Sequence, residues 1–397
     1  MCRIFIAAGI FAVIGAITPA MAQDAADLSE RLEATLDKYR VRYGFPGATA
    51  AIALPDGTLA TAATGLADVE SDRAMTPDTP MLAASIGKSF AAATALALEA
   101  DGVLARDDRV AEHLGDRDWF ARLPNHDRMT VGDLLRHTAG LPDHVHMESF
   151  AAEMGTRVAS GADALSPEAA IAFVLDAEPL FPAGAGWSYS DTGYLLLGLV
   201  IEEATGRFYY DLVTERLLDP LGLDATARSD RRDIRGLAVG YTVPDNPFGL
   251  PPRTMDEAGR MVWDPAMEWT GGGLVSTSPD LARWGHLLFG GEAMAAPYLD
   301  RLLDGVAVSP DAPAIHYGAG VALYDDTPRG PVRGHGGWIP GYVSSLRHYA
   351  DHGVTVAFQI NTDVGIVDDS TDLVAALEAA LADLAISHVG GGGRAGP

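Results

Sequence analysis

Strand-like segments lie near both ends of this 397-residue chain, and a long stretch of helical patterns separates them. Residues 47–54 and 58–67 form an apolar hairpin pattern around a Pro-Asp-Gly turn. The strand candidates of the last third are residues 317–324, 331–334, 342–349 and 354–361. This order predicts an α+β fold, in which the two ends of the chain build one antiparallel sheet flanked by helices and the middle forms an inserted, mainly helical subdomain.

Helical patterns and capping residues divide the chain further. Capping sequences at Thr130 and Ser166 predict two helix starts in the middle of the chain, and a closing helix is predicted over residues 368–384. We expect a single domain over residues 23–387 followed by a flexible tail at 388–397. Its α/β part covers about residues 23–85 and 290–387, and its helical part covers about 86–289. A groove between the two parts is the usual place for a binding site.

The first 22 residues are predicted to be a secretory signal peptide. Arg3 supplies a positive head, residues 4–17 are apolar, and small residues precede Gln23 at the expected cleavage site. The apolar run is too short to span a bilayer comfortably, and we expect no membrane anchor in the rest of the chain. The sequence therefore predicts a periplasmic or secreted protein.

Composition limits the partners and the chemistry. The chain has 54 acidic and 28 basic residues and a net charge of -26, so a nucleic-acid duplex or an anionic membrane surface would repel it. Its only cysteine, Cys2, lies in the predicted signal peptide, which leaves the rest of the chain without a thiol nucleophile or a cysteine ligand for zinc. We expect small-molecule substrates, no nucleic acid, no metal and no organic cofactor.

Only two of the 28 basic residues are lysines, and one of them lies in a catalytic pattern. Arginine stays protonated in proteins, whereas a lysine can lose its proton when burial or neighbours lower its pKa. Lys38 lies on a polar helix face, but Lys88 follows Ser85 by three residues, so that both side chains share one face of an otherwise apolar helix. A serine at a helix N-terminus also offers a free backbone N–H to an oxyanion. The spacing alone fits a capping serine beside a surface lysine equally well.

Further motifs follow Lys88 in order, and together they resemble the serine β-lactamase-related family. That family contains class C β-lactamases, D-alanyl-D-alanine carboxypeptidases, D-aminopeptidases and family VIII carboxylesterases. The resemblance spans roughly residues 28–385 and rests on segments 46–48, 85–88, 129–141, 181–184, 189–198, 220–223, 271–281 and 334–337. It implies a β-lactamase/transpeptidase-like fold, which agrees with the sheet and helical insertion predicted above.

The resemblance implies acyl transfer through an acyl-enzyme. Ser85 would be the nucleophile, and Lys88 and Tyr189 would handle its proton, because an unassisted hydroxyl is a poor nucleophile near neutral pH. A cation beside the Tyr189 phenol favours phenolate, so this pair can act as a base, although the sequence does not decide which of the two carries the proton. Tyr189 would then pass the proton to the leaving group. The backbone N–H groups of Ser85 and Trp338 would form the oxyanion hole.

Two motifs depart from the family pattern. Asp191 stands where the family usually has asparagine, and an ionised carboxylate cannot donate a hydrogen bond to a substrate carbonyl. It would either pair with Lys88 and keep it cationic or accept a substrate ammonium group, which would favour an aminopeptidase. The third motif reads His335-Gly336-Gly337 instead of Lys-Thr-Gly. It lacks the permanent cation and the hydroxyl that hold a β-lactam carboxylate, since histidine is only partly charged at pH 7.

These departures disfavour an efficient β-lactamase. We expect a secreted serine hydrolase that acts on carboxylic esters. The alternative activities are those of a D-alanyl-D-alanine carboxypeptidase or a D-aminopeptidase, with weak β-lactamase action. An alternative of another class is a binding protein without turnover that senses a cell-wall fragment in the groove.

Other motifs have simpler interpretations. His144 and His146, with His137 nearby, are possible metal ligands, but no acidic residue at ligand spacing completes a site. We expect His137 to hold its loop through hydrogen bonds, and the glycine triplet at residues 271–273 to form a tight turn beside the groove. Four aromatic residues are assigned equally to pocket walls or to core packing: Trp263, Trp269, Trp338 and Tyr342.

Overall fold

The computed structural model describes residues 19–367 and 370–392. Its α-helices are α1 (Pro19–Tyr43), α2 (Gly87–Ala100), α3 (Val110–Leu114), α4 (Val131–Arg136), α5 (Glu148–Ser160), α6 (Pro167–Ile171), α7 (Asp191–Thr205), α8 (Tyr209–Val213), α9 (Asp219–Leu221), α10 (Trp269–Gly272), α11 (Ser278–Gly290), α12 (Tyr298–Leu302) and α13 (Leu373–Gly392). The signal-peptide prediction falls mostly on residues 1–18, which lie outside the described residues.

The described strands are β1 (Gly47–Ala53), β2 (Leu59–Asp68), β3 (Arg73–Ala74), β4 (Met81–Leu82), β5 (Ala227–Arg228), β6 (Leu274–Ser276), β7 (Val306–Ala307), β8 (Ile315–Tyr317), β9 (Ala322–Tyr324), β10 (Val332–Ile339), β11 (Tyr342–Tyr349) and β12 (Val354–Ile360). Shorter helical turns cover Ala84–Ile86, Phe120–Arg122, His144–His146, Ala172–Val174, Thr214–Leu218 and Pro265–Met267.

Both ends of the chain build the central sheet, which confirms the predicted fold class. The strand order among the described residues is β3-β2-β1-β12-β11-β10-β9-β8-β7, and neighbouring strands are antiparallel. The N-terminal strand β1 pairs with the C-terminal strand β12 from Ala48 opposite Ile360 to Ala53 opposite Thr355. Both strands are buried along their whole length because helices cover both faces of the sheet.

The outer face of the sheet is covered by α1 and α13. Leucines at four-residue spacing on each helix lie on one side and pack against the same strands. These buried leucines are Leu28, Leu32 and Leu36 of α1 and Leu373, Leu377 and Leu381 of α13. By length and composition, residues Leu373–Gly391 could cross a membrane, but in the fold these leucines of α13 belong to the core.

The closing helix extends past the boundary at residue 388 where the sequence predicts a flexible tail. Helix α13 continues to Gly392, because Ile386 and Val389 still pack on the outer-face core. The rest of the predicted tail, residues 393–397, lies outside the described residues.

The inner face of the sheet carries α11 and the helical part of the chain. The sequence assigns α11 to the helical part, yet it packs directly on β1, β11 and β12. Gly285 makes this close approach possible, since a Cβ there would lie 2.7 Å from a Leu346 methyl group and 2.8 Å from one of Thr355. Trp284, also in α11, is fully buried, and its indole N–H donates a hydrogen bond to the Ser89 hydroxyl at 2.9 Å.

Two strand boundaries differ from the prediction and shape the groove. The segment 317–324 is split into β8 and β9 by a turn at Gly320, whose φ is +69°. Strand β10 runs on to Ile339 and so contains the glycine-rich motif that follows Gly334. Because β9 pairs with β10 only as far as Gly334, the remainder of β10 has a free edge on that side.

Candidate active site

Ser85 lies in a strained turn at the start of α2. It is the middle residue of the 3₁₀ turn Ala84–Ile86, which leads directly into α2. The preceding residue, Ala84, has a φ of +50°, a conformation that costs an alanine free energy and persists only where the surroundings fix it. Gly337 of β10 packs against this turn, and a Cβ there would lie 2.5 Å from the Ala83 carbonyl oxygen. The turn therefore depends on a glycine of the third motif.

Lys88 is completely buried one helical turn after Ser85. Its Nζ donates to the Ser85 Oγ at 3.2 Å and to the Gly271 carbonyl oxygen at 2.5 Å, and it forms a short ion pair with Asp191. Burial by itself would lower the pKa of Lys88, but the Asp191 carboxylate outweighs it and raises this pKa above its usual value. Lys88 is therefore an ammonium group that donates to the serine hydroxyl. Lys38, in contrast, is exposed.

Tyr189 lies over Lys88, on the wall of the cavity that also contains Ser85. The Lys88 Nζ is 4.9 Å from the centre of its ring, and the His137 ring lies 4.2 Å from it on another side. The prediction that the lysine favours phenolate is wrong for the resting geometry. Burial raises the pKa of Tyr189 by more than the Lys88 charge lowers it, so the phenol is neutral.

Asp191 is the first residue of α7 and faces the pair Ser85 and Lys88. Ser190 caps this helix, since its hydroxyl accepts from the Gly193 N–H at 3.4 Å. The Asp191 carboxylate binds Lys88, which is the first of the two roles considered for it above. Its side chain keeps 23% of its accessible surface and also lines the cavity, so one carboxylate oxygen remains within reach of a ligand.

The third motif lies in strand β10. His335 is buried, its Nε2 is 2.8 Å from the Tyr317 hydroxyl, and its Nδ1 is close to the Gly336 carbonyl oxygen. Burial and the Lys88 charge lower the pKa of His335 to about 3. The partial charge expected at pH 7 is therefore wrong: this histidine is neutral, and its ring is held by Tyr317.

The direction of the Trp338 backbone N–H follows from the register of the β10–β11 hairpin. Ile339 and Tyr342 flank the two-residue turn Pro340-Gly341, so they form the closing hydrogen-bonded pair. Hydrogen-bonded and non-hydrogen-bonded pairs alternate along antiparallel strands, which directs the N–H of Trp338 away from β11 and toward the free edge of β10. This is the direction that the predicted oxyanion role requires.

These side chains surround a cavity of about 480 Å³. Its walls include Ser85, Tyr189, Asp191, His335, Gly336, Gly337 and Trp338, so the structure brings the predicted site residues together around one space, with Lys88 buried beneath it. The apolar walls include Phe150, Met154, Phe248, Leu250 and Trp263. Of the four aromatic residues left undecided above, Trp263 and Trp338 line the cavity, whereas Tyr342 and Trp269 are buried in the core.

Two carboxyl groups of the cavity were missed by the sequence analysis. Burial and the nearby Asp191 charge raise the pKa of Asp143 to about 6 and that of Glu268 to about 8. Asp143 accepts the Val145 N–H at 3.1 Å, at the start of the turn His144–His146. No motif signals either residue, because their proximity to Ser85 depends on how distant loops pack.

A guanidinium group also reaches the cavity, although the third motif lacks a cation. The Arg347 Nη2 would lie 3.7 Å from a Cβ placed on Gly336, and Arg347 lines the cavity. It forms an ion pair with Glu378 at 3.0 Å, so its charge is largely compensated within the protein. The sequence analysis did not identify this residue either.

Two of the three histidines considered as metal ligands, His137 and His144, have structural hydrogen bonds. His137 Nδ1 accepts the Ser190 N–H at 3.1 Å, as expected for a residue that holds its loop. His144 Nδ1 is 3.0 Å from the Thr192 hydroxyl, and its ring packs edge-on against Phe150. Both rings are therefore fixed in the protein core, on either side of the start of α7.

Comparison with known proteins agrees with this arrangement. The sequence model of the Beta-lactamase family matches residues 28–381. Similar sequences include a penicillin-binding protein of Bacillus subtilis, 29% identical over 75% of this chain and 64% of the relative, and a D-aminopeptidase of Brucella anthropi, 26% identical over 82% and 58%. Esterase EstB of Burkholderia gladioli is 32% identical over 51% of this chain and 52% of the relative.

A similar solved structure is the D-stereospecific amidohydrolase from Streptomyces sp., with a TM-score of 0.71 and 28% identity over 85% of this chain and 94% of that one. The chain spans less than two thirds of the length of the three sequence relatives named above.

Proposed function

The chain belongs to the β-lactamase family of serine hydrolases, and we propose that it hydrolyses esters and amides of amino acids whose amino group is free. Ser85 takes up the aminoacyl group, and the alcohol or amine leaves. The cavity beside Ser85 holds the amino-acid side chain and the ammonium group. This proposal joins the ester and aminopeptidase activities expected from the sequence in one substrate class.

The observation that supports this proposal is the excess of carboxyl groups around Ser85. Asp191 is paired with Lys88, but Asp143 and Glu268 have no lysine or arginine partner among the described residues. The histidine beside Asp143, His144, is neutral because burial lowers its pKa to about 4. A ligand that brings a positive charge into this cavity would stabilise both carboxylates. The ammonium group next to the scissile carbonyl of an amino-acid ester or amide has this charge.

The chemistry follows from the protonation states of the resting site. Lys88 already carries its proton, and the neutral Tyr189 phenol can accept the Ser85 proton while it gives its own to the leaving oxygen or nitrogen. A bond forms between Ser85 Oγ and the acyl carbon, and the bond to the leaving group breaks. The N–H groups of Ser85 and Trp338 bind the oxyanion between these steps. Water then releases the amino acid and returns a proton to Ser85.

The relatives support both leaving-group types. One is a D-aminopeptidase, a similar structure is a D-stereospecific amidohydrolase, and another relative is an esterase. The neutral His335 and the ion-paired Arg347 give no free cation for a β-lactam carboxylate, so we expect slow turnover of penicillins.

Matched substrates test the proposal. We expect kcat/KM for the methyl ester and the amide of D- or L-phenylalanine to exceed that of the N-acetylated compounds by about tenfold or more, since acetylation removes the ammonium charge. Ser85→Ala serves as the blank. Equal or faster turnover of the N-acetylated compounds would contradict recognition of the amino group. Steady release of D-alanine from a D-Ala-D-Ala peptide would favour carboxypeptidase action instead.

The second candidate is a carboxylesterase without a need for an amino group. The apolar walls of the cavity and the uncharged third motif favour it. A burst of p-nitrophenol from p-nitrophenyl butyrate that is lost in Ser85→Ala, together with no gain from a free amino group, is the expected result for this candidate. Binding of a cell-wall fragment without any turnover would point to the binding protein considered above.

We also propose export through the N-terminal segment, on the basis of the charged head, apolar run and small residues at positions 1–22. Cleavage before Gln23 keeps Leu28, Leu32 and Leu36, the residues of α1 that pack on the sheet. Expression of the full chain in a Gram-negative host should give a periplasmic protein whose mature N-terminus is residue 23. A cytoplasmic protein that retains Met1 would contradict export.

A further inference from the structure

Asp363 accepts hydrogen bonds from three N–H donors in two segments near the cavity. It follows β12 and is fully buried. Its Oδ1 accepts the Val243 N–H at 2.6 Å, and its Oδ2 accepts the Gly341 N–H at 3.0 Å and the Trp338 indole N–H at 3.3 Å. Neither a family motif nor the cavity lining includes this residue.

Each of the three donors belongs to a part of the site. Trp338 presents its backbone N–H to the free edge of β10, as the hairpin register requires. Gly341 lies in the turn that closes the same hairpin and has a φ of +86°. Val243 begins the segment that carries Phe248 and Leu250 into the cavity wall.

The carboxylate shape is required by this arrangement. Both oxygens accept hydrogen bonds, and an asparagine would replace one of them with an NH₂ group that faces N–H donors. No ion pair with a lysine, arginine or histidine compensates Asp363 among the described residues, so the three donors stabilise it in the buried position, where burial raises its pKa. Burial of this carboxylate costs free energy, so we expect its hydrogen bonds to fix a backbone geometry that apolar packing alone would not fix.

We propose that Asp363 is a positioning residue of the oxyanion hole. It fixes the Trp338 indole and the β10–β11 turn against the 243 segment, and thereby sets the position of the Trp338 backbone N–H relative to Ser85. The inference rests on the proposed function only in that Ser85 is the nucleophile. It does not depend on which acyl group the enzyme prefers.

The test compares Asp363→Asn with the same change at a half-buried aspartate outside the cavity. Asp280 of α11 is the control, since it accepts the Ala225 N–H and the Thr226 hydroxyl, both at 2.9 Å. The rate of Ser85 phosphonylation by a fluorophosphonate probe reports the nucleophile and the oxyanion donors without amino-acid recognition. We expect Asp363→Asn to lower this rate and kcat for the methyl ester by about tenfold to a hundredfold, with KM changed less than about twofold. Asp280→Asn should lower Tm but leave both rates within about twofold.

A second variant covers the case in which Asp363→Asn does not fold. Trp338→Phe keeps the ring and the backbone N–H but removes one donor to Asp363, and it should cause a smaller loss of the phosphonylation rate, about threefold to tenfold. Loss of Tm in both variants with unchanged phosphonylation would overturn the proposal and leave Asp363 a purely structural residue. A wild-type enzyme that reacts with the probe but hydrolyses no amino-acid ester would contradict the proposed function alone.

Discussion

The two faces of the central sheet differ in what they bury: one covers apolar side chains and the other covers charged ones. The outer face under α1 and α13 is a core of leucine, valine, alanine and aromatic side chains. The inner face beside the groove places the buried Lys88 ammonium group, the Asp191 carboxylate paired with it and two carboxyl groups with raised pKa values around one cavity. Burial of charge costs free energy unless partners compensate it. The outer face therefore stabilises the fold, whereas the inner face keeps charged groups that cost free energy of folding but can serve the reaction.

The largest expected effect lies on the inner face. Ser85→Ala and Lys88→Met should each lower kcat/KM by roughly a thousandfold or more, because the first removes the nucleophile and the second removes the cation that contacts it. Ser85→Ala should leave Tm nearly unchanged, since Ser85 lies at the cavity wall. Steady-state kinetics on an amino-acid ester measure both variants. Retained turnover in Lys88→Met would refute the catalytic assignment.

A leucine on the outer face should show the reverse pattern. Leu36→Ala removes a fully buried side chain of α1 and should lower the free energy of unfolding by about 2–5 kcal/mol. Because Leu36 lies on the far side of the sheet, kcat per folded molecule should stay within about twofold. Urea unfolding followed by active-site titration separates the two quantities. A drop in kcat as large as that in stability would show that the faces are not independent.

Glu268 tests whether the inner face recognises charge. Glu268→Gln keeps the size of the side chain but removes the carboxyl group that a bound ammonium group would ionise, and it should raise KM for phenylalanine methyl ester by about threefold to tenfold. KM for the N-acetylated ester should not change. Val343, a neutral cavity residue, offers the matched control Val343→Ala, which should affect both esters equally. If Glu268→Gln shifted KM equally for both esters, recognition of the ammonium group by Glu268 would be contradicted.

The smallest effect is a pH dependence of stability. The pKa of Glu268 is about 8 in the folded protein, against about 4.3 in an unfolded chain. Between these values the folded state holds a proton that the unfolded state has lost, so the contribution of Glu268 to stability falls as pH rises from about 4 to 8 and changes no further above this range. Below about pH 4 both states are protonated. Tm measured over this range should fall less steeply with pH in Glu268→Gln than in the wild type, and parallel curves would contradict the raised pKa.

Much of the fold could be predicted from local patterns. The capping box at Thr130 and the N-cap residue Ser166 start helices as expected, because a cap depends on residues within one turn. The hairpin of β1 and β2 follows from two apolar segments around a Pro-Asp-Gly turn. The extension of β10 through its glycines was not predictable, because glycine has a low strand propensity and only the partner β11 and the packed turn at Ala84 hold it extended.

The amino-acid sequence by itself determined the fold class, the family and the pairing of Ser85 with Lys88, since these depend on short spacings and ordered motifs. Only the tertiary structure decided that Tyr189 is a neutral phenol, that His335 is uncharged, and that Asp143 and Glu268 line the cavity. Protonation depends on burial and on charges a few ångströms away. Those distances are set by the packing of segments that lie far apart in the chain, and no local pattern in the chain records them.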